Sequence, residues 1–278
     1  MVYFEKMKDY LYRLWQWIYK GIPIQTIPAN VSVQSADHRL AGQKILVTGG
    51  SKGIGFHIAK RCSEENADVM IVGRDAQVLQ SAAEQIKCQW IQFDLADIRR
   101  LSVLIAESAK CLGGLTGLIN NAGVCKDEEG FLNVTETSYD EQFVLNVKSP
   151  FFLTQAFVRY VTENKVPSSS IIFITSERGL YPDDRPYGMT KAAIANIVAG
   201  IARRFAVQGV HCNGIAPGVT ADTLTHPEIV DNLYLKGATG KRFMMPDEIA
   251  ELAVFLMSDT SKCVSGEIIP CNQANHYK

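Results

Sequence analysis

Tyr187 and Lys191 stand four residues apart near the head of the segment PYGMTKAAIANIVAGIARRF, and that spacing puts both on one helix face. A phenol with a pKa near ~10 is a poor acid or base at neutral pH. A neighbouring ammonium favours the phenolate and lowers that pKa, so the pair has a chemical use. The tyrosine can protonate an alkoxide in a reduction or deprotonate an alcohol in an oxidation. A tyrosine followed four on by a lysine is also an ordinary surface pair, so the assignment depends on its company.

The run Thr48-Gly49-Gly50-Ser51-Lys52-Gly53-Ile54-Gly55 follows the strand-like KILVT and leads into a helical pattern. Glycines at 49, 53 and 55 allow a tight turn and a close approach of ligand to backbone, and the helix start presents free N–H groups to a pyrophosphate. Gly49, Ser51, Lys52, Gly53, Ile54 and Gly55 are therefore the candidate phosphate cradle. In dinucleotide sites an acid at the tip of the second strand takes the ribose of NAD, whereas a base suits the extra phosphate of NADP. Here Gly73 occupies the acid's place and Arg74 follows. Arg74 and Lys52 together suit a 2'-phosphate, so the expected cofactor is NADP(H). Asp94 and Leu95, closing the third strand, suit the adenine amine, with a simple helix cap as the alternative.

Short β-branched runs, KILVT, VMIVG, QWIQF, LTGLIN, SIIFIT, VHCNGI and EIIPC, alternate with helical patterns over 56–65, 76–86, 98–112, 139–163, 186–207 and 246–257. That alternation predicts an α/β fold, a single doubly wound parallel sheet of Rossmann type, over 41–278. Residues 1–40 read as an amphipathic helix at 3–20 and an extended connector over 28–43. The helix is expected to pack on its own domain or on a sister subunit.

The motifs in this order resemble the short-chain dehydrogenase/reductase family, from about Leu40 to the C-terminus. TGGSKGIG looks like its cofactor loop and Asn120-Asn121-Ala122-Gly123 like its N-N-A-G element; Asn146 matches its helix asparagine. Ser176 looks like its serine, Tyr187 and Lys191 match Y-x-x-x-K, and Pro217-Gly218 matches its P-G turn. The resemblance implies that Ser176 hydrogen-bonds the substrate oxygen, Tyr187 moves the proton, and Lys191 tunes Tyr187 and holds the nicotinamide ribose. It implies that Asn146 supports a water relay, and that Asn121, Ala122, Gly123, Pro217, Gly218, Val219 and Thr220 line the cofactor. It also implies a homotetramer or homodimer built on the helices around 139–163 and 186–207.

Three departures stand out. Ser176 precedes Tyr187 by only 11 residues, a shortened loop, with Thr175 as a second candidate; Asp222 stands where a threonine is usual after the P-G turn; and the usual glycine pair near the C-terminus reads Cys271-Asn272-Gln273-Ala274. Glu177, Arg178, Asp183, Asp184 and Arg185 make the shortened loop charged, which favours a polar carbonyl or alcohol, such as a sugar or hydroxy acid, with the alternative that these side chains face water or pair with one another. The segment Thr220–Met245 reads as a lid. A 3-oxoacyl carrier-protein reductase-like enzyme is the alternative reading, and a non-catalytic NADP-binding regulatory or assembly subunit the second. With 28 basic and 29 acidic residues the net charge of -1 gives no reason to expect nucleic acid. Seven scattered cysteines without a C-x-x-C pair indicate a reducing, cytoplasmic setting. Cys125 reads as a buried structural thiol. The five histidines lack metal-ligand spacing, and no membrane or metal partner is expected.

Overall fold

The computed structural model describes residues 38–126, 130–221 and 232–277, together with Met7, Lys8, Leu11, Tyr12, Leu14, Trp15, Ile18 and Tyr19. Strands and helices alternate as β1 Lys44–Thr48, α1 Gly53–Glu64, β2 Asp68–Gly73, α2 Ala76–Ile86, β3 Gln89–Gln92, α3 Leu101–Leu112 and β4 Gly117–Asn120. They continue as α4 Glu136–Phe143, α5 Ser149–Glu163, β5 Ser169–Ile174, α6 Pro186–Phe205, β6 Val210–Pro217, α7 Pro246–Met257 and β7 Ile268–Cys271. All seven strands lie in one sheet in the order β3-β2-β1-β4-β5-β6-β7, and every adjacent pair is parallel. This is the predicted doubly wound sheet. The order reverses between β1 and β4, which opens a crevice beyond their carboxyl ends.

Both sheet faces are covered, and the strand sequences show it. Ile45, Val47 and Ile71 pack with Ile58, Leu79, Ile249 and Val254 on one face. The alternating partners Leu46, Met70, Leu118 and Phe173 pack with Leu104, Phe157, Ile194 and Val198 on the other. Strands buried on two faces read as continuous apolar runs rather than as alternation, and each such side chain contributes about 1.5–3 kcal/mol on burial. Pro270 is tolerated in β7 because that strand is an edge, where a missing N–H breaks no ladder bond.

The predicted helix over 139–163 is an unbroken helical run from Glu136 to Glu163 that contains a π-helical turn at Val144–Lys148, which divides it into α4 and α5. Pro150 has no N–H to return to the carbonyl four residues back, and π turns of this kind often mark functional positions. The predicted extended connector is corrected where it is described. His38–Gly42 forms a turn, with Ala41 N donating to His38 O at 3.0 Å. Leu40, fully buried, anchors that turn, which residue pattern alone does not reveal; residues 28–37 lie outside the described residues. The described residues between Met7 and Tyr19 are helical. Their apolar side chains are 41% to 75% exposed; the rest of the predicted helix lies outside the described residues.

A charged cluster pins that turn to the body. Arg39 bonds Glu65 at 2.8 Å and Glu251 at 3.0 Å, and Arg61 pairs with the same two acids. Burial would raise the Glu65 carboxyl, but its bonds to Arg39 and the charge of Arg61 hold it below its ordinary 4.5. The stabilisation is present at neutral pH and lost as the pH falls through that lowered value. Replacing Arg61 with alanine leaves Glu65 with one cation instead of two. The unfolding free energy is expected to fall by roughly 3 kcal/mol in urea titrations at pH 7, near the low end for a broken buried pair.

Candidate active site

The glycine loop is braced from β4. Thr48 Oγ1 accepts from the backbone N–H of Asn121 at 3.0 Å and of Ala122 at 3.1 Å. Asn121 Nδ2 in turn donates to the carbonyls of Thr48 at 3.0 Å and Gly49 at 3.1 Å. The side-chain nitrogen of Asn121 thus holds the loop itself. Gly49 has φ +65°, and a Cβ on Gly55 would stand 2.3 Å from Asn121 Nδ2, so only glycine fits. Lys52 precedes α1 without a side-chain cap, which leaves the amides at the helix head open toward the crevice. Ser51, Gly53 and Ile54 complete this cradle, and its shape fits a pyrophosphate.

Arg74 follows Gly73 at the end of β2 and is exposed, as is Lys52. Asp75 caps α2 by accepting from Gln77 N and Val78 N. Asp94 lies just beyond β3, and its Oδ1 accepts from Ala96 N at 3.0 Å. One carboxyl oxygen of Asp94 therefore closes a local turn and caps no helix. Leu95 is buried and its carbonyl accepts from Ser149 Oγ.

Tyr187 lies in the first turn of α6, and Ser176 lies just past the end of β5. Ser176 Oγ accepts from Arg178 N at 3.2 Å, and its hydroxyl acts on the Tyr187 phenol. Thr175 is excluded: its N–H and Oγ1 both bond to Ile215 O, at 2.7 Å and 2.9 Å, inside the sheet. Lys191 Nζ donates to Ile174 O at 2.9 Å and sits 5.5 Å from the Tyr187 ring centroid. Arg178 is as close, with Cζ 5.4 Å from the same centroid. Gly123 lies between Asn146 and Lys191, where a Cβ would stand 3.1 Å from Asn146 Oδ1 and 3.6 Å from Lys191 Nζ.

Burial pushes the Tyr187 phenol up to about 12, the Cys125 thiol adds to this, and the Ser176 hydroxyl and the Arg178 guanidinium act against it. Burial also pulls Lys191 down to about 8, with Cys125 opposing. Arg178, which reaches over the ring, is a second cation that favours the Tyr187 phenolate, while Lys191 Nζ, equally near the ring, donates to a backbone carbonyl. The spacing of Tyr187 and Lys191 could not show that, because Arg178 arrives from a different element. Cys125, read as a buried structural thiol, is only partly buried and acts electrostatically on both site residues.

Asn146 is brought to the site by the π turn. Its Oδ1 accepts from Val124 N at 2.8 Å, and its Nδ2 donates to Val124 O at 2.8 Å and to Thr190 Oγ1 at 3.2 Å. Its side chain therefore holds the chain beyond Gly123. Pro217 ends β6, and Gly218, Val219 and Thr220 follow, with Thr220 Oγ1 donating to Gly218 O at 2.8 Å. Asp222 and Thr223 lie outside the described residues. Beyond them, Leu233 and Phe243 pack with Ala221 in a small core of their own, and Met244 N donates to Val219 O at 2.8 Å. Among the described residues no cluster of three histidine, cysteine or acidic side chains could hold a metal ion, and no helix is long and apolar enough to cross a membrane.

A parallel sheet with a braced glycine loop at its switch point, and a serine and tyrosine opening on the same crevice, defines a dinucleotide-binding oxidoreductase. The chain belongs to the short-chain dehydrogenase/reductase family. A family model described as enoyl-(acyl carrier protein) reductase matches residues 49–273. Gluconate 5-dehydrogenase of Gluconobacter oxydans is 31% identical over 240 residues, covering 83% of this chain and 93% of that protein. A 3-oxoacyl acyl-carrier-protein reductase of Chlamydia trachomatis is 32% identical over 241 residues, covering 83% and 96%. A short chain dehydrogenase from Burkholderia cenocepacia, solved in complex with NADP, superposes with a TM-score of 0.78 at 26% identity, covering 86% of this chain and 100% of that one.

Proposed function

We propose that this chain is an NADP(H)-dependent enzyme that interconverts a polar carbonyl compound and its alcohol, with Tyr187 as the proton carrier. The observation that carries the reading is the meeting of Ser176, Tyr187, Lys191 and Arg178 beside the braced glycine loop. Gly49, Ser51, Lys52, Gly53, Ile54 and Gly55 would cradle the pyrophosphate, and Arg74 with Lys52 the 2'-phosphate. Asp94, Leu95, Asn121, Ala122 and Gly123 would line the adenine and ribose side, and Pro217, Gly218, Val219 and Thr220 the nicotinamide side. When bound, the cofactor supplies or takes the hydride. Ser176 holds the substrate oxygen, Tyr187 gives or takes its proton, and Lys191 holds the ribose.

The likeness to a gluconate 5-dehydrogenase supports a polar substrate, whereas the charges of the turn over 177–185 largely pair with one another or with the tail. The second reading, a 3-oxoacyl carrier-protein reductase-like enzyme, is favoured by the Chlamydia relative. A non-catalytic subunit would have no chemical need for Asn146, Ser176, Tyr187 and Lys191 together. Tyr139, Phe151 and Phe152, exposed on α4 and α5, suit a homodimer or homotetramer interface. A panel of sugar acids, hydroxy acids and an acetoacetyl thioester, scored by NADPH consumption, tests the assignment. Turnover of the thioester alone would move it to the second reading, and turnover of none would end it.

The same reading fixes a pH profile. Tyr187 keeps its proton to about 12 and Lys191 to about 8. The kcat/KM for carbonyl reduction is expected to be level at neutral pH and to fall above about 8, as Lys191 loses its charge. A profile flat to pH 10 would contradict that role for Lys191.

A further inference from the structure

Glu177, next to Ser176, is 4% exposed, and among the described residues no cation pairs with it. Two side-chain amide nitrogens serve it instead, through three contacts. Asn272 Nδ2 donates to Oε2 at 3.0 Å, and Asn275 Nδ2 reaches Oε1 at 2.8 Å and Oε2 at 3.0 Å. Both asparagines belong to the tail that follows β7. For both to face inward, Gln273 and Ala274 adopt left-handed backbone with φ 50° and 62°, a conformation that side-chain-bearing residues hold only when their surroundings impose it. The P-G turn is packed against the same group. Gly218 N donates to Cys271 O at 3.0 Å, and a Cβ on Gly218 would stand 3.3 Å from Glu177 Oε2.

The tail reaches a further segment. Asn275 Oδ1 accepts from Thr239 N at 3.2 Å and Thr239 Oγ1 at 3.4 Å. One asparagine thus holds the residue beside Ser176 with its nitrogen and the stretch 232–245 with its oxygen. The opposite side of the serine turn is equally confined, since a Cβ on Gly179 would stand 2.7 Å from the Lys191 carbonyl carbon. The turn Glu177–Gly179 is held between the backbone of α6 and the C-terminal tail.

The geometry points to Glu177 as a positioning residue for Ser176, clamped by Asn272 and Asn275, with the tail coupling the segment 232–245 to that serine. This rests on the reading of Ser176 and Tyr187 as the reaction site. A buried carboxylate held by two amides through both oxygens has one preferred orientation, because each unmade bond leaves a buried polar group unsatisfied.

The test reverses the polarity of one bond. Glu177→Gln keeps the shape but sets an N–H against the Asn275 N–H. Combining Glu177→Gln with Asn275→Asp restores a donor and an acceptor, and the carboxylate introduced by the second substitution still accepts from Thr239. With the full chain and NADPH, Glu177→Gln is expected to lower kcat roughly tenfold through displacement of Ser176. The KM for the carbonyl and the affinity for NADPH should stay within about twofold, and the double variant should recover most of kcat. Amide hydrogen exchange, read without substrate, should speed up in Glu177→Gln over both 176–185 and 232–245 and slow again in the double variant. Unchanged exchange, faster exchange with unchanged kcat, or no recovery in the double variant would each overturn the inference. If the wild type turns over no substrate, the proposed activity fails; exchange alone then decides the clamp. Should Glu177→Gln fail to fold, Asn275→Ala carries the same comparison.

Discussion

Tyr187→Phe is expected to reduce turnover by about a thousandfold while NADPH still binds. Phenylalanine keeps the ring that lies beneath the Arg178 guanidinium, 5.4 Å away, and beside Lys191 Nζ at 5.5 Å, so the local packing survives. What disappears is the one hydroxyl placed to exchange a proton with the substrate oxygen, and positioned general acids contribute about 10²–10⁴ in rate. Ser176 cannot replace it. A serine hydroxyl is a far weaker acid than a phenol. Steady-state NADPH oxidation with the best substrate from the panel, beside NADPH fluorescence titration, reads both halves. Residual activity within about fivefold of wild type would mean that the proton takes another route.

The second large effect concerns the cofactor. Arg74→Ala is expected to weaken NADPH binding roughly 10- to 100-fold, because a charge-assisted bond to phosphate contributes about 1.5–3 kcal/mol. NADH binding should change less than about twofold, since the difference between the cofactors is the 2'-phosphate. The position permits a further step. A Cβ on Gly73 meets only Leu79, at an ordinary 3.4 Å, so Gly73→Asp with Arg74→Ala is sterically allowed and should turn the preference toward NADH. The wild-type preference should also weaken as salt rises, because both cations, Arg74 and Lys52, are exposed. Equal losses for NADPH and NADH in Arg74→Ala would assign that arginine to the pyrophosphate instead.

Much of the fold was legible because parallel strands buried on both faces must be apolar throughout. KILVT and SIIFIT announce themselves for that reason, and the glycine loop does so because Gly55 has no room for a side chain. The site was legible where one element carries two groups, as with Tyr187 and Lys191 on α6. It was not legible where the partners come from separate elements. Arg178 looked like one charge among five in a polar loop, yet it lies over the Tyr187 ring and pairs with Asp183. The altered C-terminal residues looked like a lost glycine pair, and only the folded chain brings Asn272 and Asn275 to Glu177. The π turn within the 139–163 helix carried a faint signal in Pro150, but the bonds of Asn146 to Val124 depend on where β4 delivers its loop.

The sequence by itself determined the sheet, the position of the glycine loop and the shared helix face of Tyr187 and Lys191, because periodicity, turn glycines and an i, i+4 spacing are local properties; Ser176 was reached through the family resemblance. Only the tertiary structure brought Arg178 over Tyr187, decided what Lys191 and Asn146 bond to, and joined the tail to Glu177. Those are electrostatic and hydrogen-bond relations between residues up to 98 positions apart, and burial and distance in space set them.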